Sequence, residues 1–132
     1  MSLKSDEIFD LISKYLATGE GINTVNKIKA IYQFDILQKK GGKPIKSWTI
    51  DMKNDKGHCK LGKADSYDAL FTLVDGDFVS ICNGKLNPQM AVVQGKMKIK
   101  GNMKKATAFT PDLFPEPTPE NMMKYSKVKL LI

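Results

Sequence analysis

The chain has 132 residues, 42% apolar and 27% charged, values of a single globular domain that buries roughly 68–70% of its unfolded surface, which excludes wholesale disorder. No apolar run approaches the ~18–20 residues of a membrane-spanning helix, and Asp6, Glu7 and Asp10 break the apolar positions near the start, which excludes a signal-peptide core there. Its 21 cationic side chains against 14 acidic ones give a net charge of +7, and every cation is lysine, so the guanidinium fork used for reading guanine or for bidentate phosphate binding is missing.

In chain order, Ile8, Leu11, Ile12, Tyr15 and Leu16 draw one apolar stripe at helical spacing, which predicts a helix over residues 5–18, capped by Ser5 or Asp6 and ended at Gly19. A shorter amphipathic piece carries Val25 and Ile28. The period then changes to two. Tyr32, Phe34 and Ile36 predict a strand, Gly41 and Gly42 a turn, and Trp48, Ile50 and Met52 the returning strand of a hairpin. His58–Leu61 reads as a short third strand, and Tyr67–Val74 as a fourth with Ala69, Phe71 and Leu73 on one side. Asp75 is the expected N-cap of the next helix, which carries Phe78 and Ile81 and ends at Gly84. Asn87–Pro88 opens another through Val93. Lys96, Lys98 and Lys100 alternate with Met97 and Ile99, the clearest strand signal in the chain. Residues 103–109 predict a last helix, Pro111, Pro115, Pro117 and Pro119 forbid regular helix between them, and the remaining tail closes on the apolar cluster Val128, Leu130, Leu131 and Ile132. The order of elements argues for an α+β fold, a mainly antiparallel sheet with helices on one face.

Catalytic and metal-binding constellations are lacking. His58 and Cys59 are neighbours on a strand, so their side chains face opposite ways and cannot act as base and nucleophile. With Cys82 they make three ligands of the soft kind, where a zinc site needs about four. Asp75 and Asp77 fit the first turn of a helix better than acid–base work. No phosphate loop, dinucleotide fingerprint or nucleophile elbow is present, so neither an enzyme nor a cofactor is expected. Two cysteines are too few for a disulfide framework, which points to an intracellular protein with reduced thiols. What remains is apolar bulk: six phenylalanines, a tryptophan and seven methionines, the last able to shape an adaptable pocket.

Three stretches carry a resemblance. Phe78 to Gln89, with its Gly84-Lys85-Leu86-Asn87-Pro88-Gln89 link, Gln94-Gly95-Lys96-Met97-Lys98-Ile99-Lys100-Gly101-Asn102-Met103, and Gly42-Lys43 through Trp48 to Asp51-Met52-Lys53-Asn54 together resemble the sterol carrier protein-2 family in order and spacing, across about residues 5–110. The resemblance implies a five-stranded sheet with helices on one face, enclosing a hydrophobic tunnel. It implies a domain over residues 1–110 with residues 111–132 as a Pro-rich extension. It implies a non-catalytic carrier that takes a fatty acid, fatty acyl-CoA or sterol between membranes. On this reading the tunnel is walled by Ile12, Tyr15, Leu16, Val25, Ile28, Phe34, Ile36, Ile50, Met52, Phe71, Leu73, Phe78, Ile81 and Phe109. Burial of ~15 methylenes at ~0.8 kcal/mol each offers up to ~12 kcal/mol before the costs of binding.

Some members present arginines to a lipid carboxylate. Here Lys14, Lys27 or the backbone N–H groups of residues 22–26 are the candidates for that role. The chain ends Leu-Leu-Ile where several members end in a peroxisomal Ser-Lys-Leu-like tripeptide, so cytoplasm is the expected location. Phe114, Tyr125, Leu130 and Ile132 are candidates for a lid over the tunnel mouth, and the tail reads equally as a docking arm or as disordered. Lys96, Lys98 and Lys100 form an outward row expected to meet an anionic membrane surface transiently, with no specific nucleic acid and a monomeric chain. The competing reading is a basic membrane-surface, nucleic-acid or protein interaction module whose apolar residues form an ordinary core. The lack of arginine and of a stacking aromatic set weighs against a nucleic-acid role.

Overall fold

The structure is a computed structural model and describes residues 2–128. Its first helix, α1 (Lys4–Ala17), buries Ile8, Leu11, Ile12 and Leu16 of the stripe that the helical period draws and Phe9 besides, while Tyr15 is only partly buried. Its start differs from expectation. The N-cap is Leu3, because the Asp6 carboxylate reaches back one turn to accept the Leu3 N–H at 2.8 Å. The Ser5 N–H is taken instead by Asp75, from a distant part of the chain, at 2.9 Å. Helix α2 (Ile22–Ile28) follows, burying Val25 and ending at Lys29 in the left-handed region.

Five strands form one sheet: β1 (Ala30–Leu37), β2 (Pro44–Met52), β3 (His58–Leu61), β4 (Ala69–Val74) and β5 (Met97–Gly101), in the order β3-β2-β1-β4-β5. All neighbours are antiparallel except β1 and β4, which run parallel at the centre. Register aligns the alternating apolar residues into rows. Trp48, Phe34, Phe71 and Ile99 lie side by side across four strands, and Ile36, Leu73 and Met97 form the next row. The other parity mixes Ile31, Leu37, Leu70 and Val74 with polar side chains: Gln33 and Ser47 both donate to the Asp35 carboxylate, while the Gln33 side-chain oxygen accepts the Ala64 N–H. One face is therefore apolar, and the helices cover it.

Helices α3 (Asp75–Cys82) and α4 (Pro88–Val93) bridge β4 to β5, and α5 (Met103–Ala108) follows β5. Asp75, expected as the N-cap of α3, is its first residue behind Val74, which leaves its carboxylate available to α1. Asn87 caps α4 as its Asn-Pro signature predicts, accepting the Gln89 N–H at 2.8 Å. The β5–α5 junction needs Gly101, at φ 107°: a Cβ there runs into the Asp68 carbonyl oxygen. The proline segment is more ordered than its composition suggests. A 3-10 turn spans Pro111–Leu113, and α6 (Pro119–Tyr125) starts on Pro119, the one helical position where a missing N–H costs nothing.

The core beneath the helices is aromatic. Phe9 lies between Trp48 and Phe78, stacked on both at centroid distances of 4.8 and 4.5 Å. Each such ring contributes about 1.5–3 kcal/mol by burial, with a further ~0.5–1.5 kcal/mol per well-oriented pair.

Candidate functional site

Where α3, α4, α5 and the segment after Phe109 close over β1, β4 and β5, packing is incomplete. A cavity of 460 Å³ lies between them, within the ~300–1,000 Å³ range of small-molecule sites. Its floor is the sheet: Phe34 and Phe71 stacked at 4.9 Å, with Leu73, Met97 and Ile99 beside them. Ile8 and Ile12 of α1 and Phe78, Ile81 and Cys82 of α3 form one wall. Phe109, 5.2 Å from Phe34 and 5.6 Å from Phe114, leads into a cover made of Pro111, Phe114, Pro115 and Pro117. The cover is fastened to α1. Phe114 and Tyr125 pack edge-on to Tyr15, and the Tyr125 hydroxyl donates to the Glu20 carboxylate at 2.8 Å.

The polar residues at the cavity are Asn87, Gln89, Thr107 and Thr110, besides the Cys82 thiol; no lysine, aspartate or glutamate lines it among the described residues. Burial pushes the Cys82 thiol up to about 12, and Cys59, deeper in the core, is also raised by burial and further by the Asp10 charge. Neither thiol is an activated nucleophile, and His58 stands on the other side of its strand, 3.5 Å from Asp55. The chemistry available at the cavity is dispersion and burial, with neutral hydrogen-bonding groups at the rim. Val92 and Met103 border the cavity and are also 39% and 53% exposed, so it reaches the surface between α4 and α5.

Of the residues expected to wall a tunnel, Ile12, Phe34, Phe71, Leu73, Phe78, Ile81 and Phe109 border the cavity. Tyr15, Leu16, Val25, Ile28, Ile36, Ile50 and Met52 do not; they belong to the filled part of the core or pack against it. Lys14 is paired with Asp10 at 2.9 Å, and neither it nor Lys27 borders the cavity. The amides of residues 22 and 25 are spent on Gly19 and Gly21. Lys96, Lys98 and Lys100 are exposed, and on the outer face Lys98 and Lys100 neighbour Thr72 and Leu70 rather than an aromatic ring. Phe114 and Tyr125 belong to the cover, whereas Leu130 and Ile132 lie outside the described residues. Sequence reasoning missed Ile8, Cys82, Val92, Met97, Ile99 and Met103. The alternation of β5 marks Met97 and Ile99 as inward, and the α1 stripe marks Ile8. No local signal marks Val92 or Met103.

Comparison with known proteins agrees with this architecture. The sequence model of the SCP-2 sterol transfer family matches residues 11–113. The chain is 43% identical over 118 residues to "Sterol carrier protein 2" of Arabidopsis thaliana, covering 88% of this chain and 94% of that protein. Other curated relatives at 39–40% identity are longer proteins, of which the chain spans 18% of the length. Among solved structures, the apo form of sterol carrier protein 2 from Yarrowia lipolytica superposes with a TM-score of 0.68 at 36% identity, covering 83% of this chain and all of that one. A sterol carrier protein from Aedes aegypti in complex with C16 fatty acid (palmitate) superposes with a TM-score of 0.63 at 29% identity, covering 86% and 96%. No helix among the described residues is long and apolar enough to cross a membrane.

Proposed function

Because the chain belongs to the SCP-2 sterol transfer family, we propose that it is a non-catalytic lipid carrier that holds a fatty acid, fatty acyl-CoA or sterol in the cavity over β1, β4 and β5 and moves it between membranes. The observation that carries this reading is the cavity itself: 460 Å³ walled by aliphatic and aromatic side chains with no ionised group in its lining. A long-chain or ring-shaped lipid gains burial there at ~0.8 kcal/mol per methylene, and little directional bonding is needed, which suits several ligands of one shape class. A charged head has no counter-ion in the lining, so it belongs at the rim near Asn87, Gln89, Thr107 and Thr110, in contact with solvent. Residues 111–128 serve as the cover of the same domain. The palmitate complex of the Aedes aegypti relative supports a fatty acid as the first ligand to test.

The test is native mass spectrometry of the purified protein, followed by denaturing extraction of any adduct and titration with a fluorescent fatty acid and a fluorescent sterol. Stoichiometric binding of either supports the carrier. Saturable binding of neither overturns it.

A further inference from the structure

Helix α4 exposes more large apolar residues than any other helix described. Asn87 caps it and Pro88 starts it, yet of its six residues only Ala91 is buried, while Met90, Val92 and Val93 are 46%, 39% and 78% exposed. Met103, the first residue of α5, is 53% exposed. Two of these four, Val92 and Met103, also line the cavity, so exposed apolar side chains and the cavity lining share residues. The other exposed large apolar residues, Ile22 on α2, Ile45 on β2, Leu61 on β3 and Met123 on α6, do not line the cavity. The α1 stripe, by contrast, is consumed by the core.

Charge follows the same segment. Between Asp77 and Asp112 the chain carries six lysines, at positions 85, 96, 98, 100, 104 and 105, and no acidic residue. Lys85 precedes α4 and Lys96 follows it, its N–H bonded to the Ala91 carbonyl at 2.8 Å. Lys104 adjoins Met103. All three are exposed.

On the reading that the cavity holds lipid, we propose that α4 and the start of α5 are the membrane-docking wedge, which seats Met90, Val92, Val93 and Met103 in an anionic phospholipid leaflet and opens the cavity to it. Flexible methionines and small aliphatic groups ringed by lysine suit the boundary between acyl chains and anionic headgroups. A protein-binding patch is enriched in aromatic residues, methionine and arginine and depleted in lysine; this one shares the methionines but has no aromatic residue or arginine, and lysines ring it.

Flotation with vesicles of phosphatidylcholine alone and with about 30% phosphatidylserine tests the wedge. The double variant Met90→Ser/Val93→Ser changes exposed side chains that do not line the cavity, and Leu61→Ser is the control for exposed apolar area elsewhere. Wild type is expected to bind the anionic vesicles, the double variant about tenfold more weakly or worse, and Leu61→Ser as wild type. Fluorescent fatty-acid affinity without vesicles should stay within about twofold in all three, since that measurement reports the cavity and not the wedge. Wild type that ignores anionic vesicles, or self-associates through these residues instead, overturns the proposal. So does a double variant that floats as well as wild type, or a Leu61→Ser loss as large. Failure of the fatty acid to bind wild type in vesicle-free solution strikes the carrier reading separately.

Discussion

The Asp75 carboxylate accepts the Ser5 N–H at 2.9 Å and approaches the Lys4 N–H at 3.3 Å, across a separation of 70 residues and more. The first residue of α3 thus satisfies the open N-terminus of α1, and the two helices that wall one side of the cavity are locked at their starts. An anion at this position also complements the α1 dipole.

Asp75→Ala removes that lock. The expected cost is about 1 kcal/mol, the usual loss of a helix cap, or roughly 4 °C in Tm for a domain of this size. Urea and thermal unfolding measure it, and an unchanged midpoint would show that water replaces the carboxylate without loss.

Acid should loosen α1 through Asp6. Burial alone raises the Asp6 carboxyl, but the Leu3 N–H and the Lys46 ammonium, 2.8 Å away, outweigh it and hold the group below its ordinary 3.8. A carboxylate depressed in the folded state stabilises the fold above its unfolded value and loses that contribution as pH falls through the folded one. Stability should therefore decline below pH 3.8, and Asp6→Asn should be less stable at neutral pH with a shallower decline in acid. Urea midpoints from pH 7 to pH 2.5 compare the two slopes.

Filling part of the cavity should weaken binding while sparing the fold. Cys82 lines it with a small side chain, and Cys82→Trp takes the room of about three or four methylenes, a loss of about 2–3 kcal/mol or roughly 30- to 100-fold in lipid affinity. Fluorescent fatty-acid titration reads the loss and circular dichroism checks the fold.

The same thiol reports occupancy. Burial pushes its ionisation up to about 12, so little thiolate forms at pH 8 and alkylation should be slow. Bound palmitate should slow it further, and Cys59, buried in the core, should not react until the protein unfolds. Mass spectrometry of iodoacetamide time courses distinguishes the two sites.

Gly101→Ala should cost on the order of 2–3 kcal/mol, since the position sits at φ 107° and a Cβ meets the Asp68 carbonyl, which already accepts the Asn102 N–H at 2.7 Å. The β4–β5–α5 corner shapes one edge of the cavity, so lipid affinity should fall together with the unfolding midpoint.

Strand parity in the sequence determined which side chains face inward. Phe34, Phe71, Leu73, Met97 and Ile99 follow from period two alone, as the α1 stripe follows from 3.6, because each periodicity is a property of the local backbone. The Asn87–Pro88 start of α4 is equally local. Only the tertiary structure decided where the inside is hollow. Ile36, Ile50 and Met52 have the same inward parity as Phe34, yet they belong to filled core, because what faces them across the sheet depends on how α1 and α2 sit. Periodicity tells which way a side chain points, not whether a surface lies within van der Waals distance of it. The Asp75–Ser5 cap and the Tyr125–Glu20 tether are hidden in sequence for a related reason: their partners are 70 and 105 residues apart. The cover over the cavity was legible in part, since Phe114 and Tyr125 stand out as lid candidates. Its prolines exclude helix interiors but permit a helix start, and the packing of Phe114 and Tyr125 against Tyr15 and of Phe114 against Phe109 is tertiary.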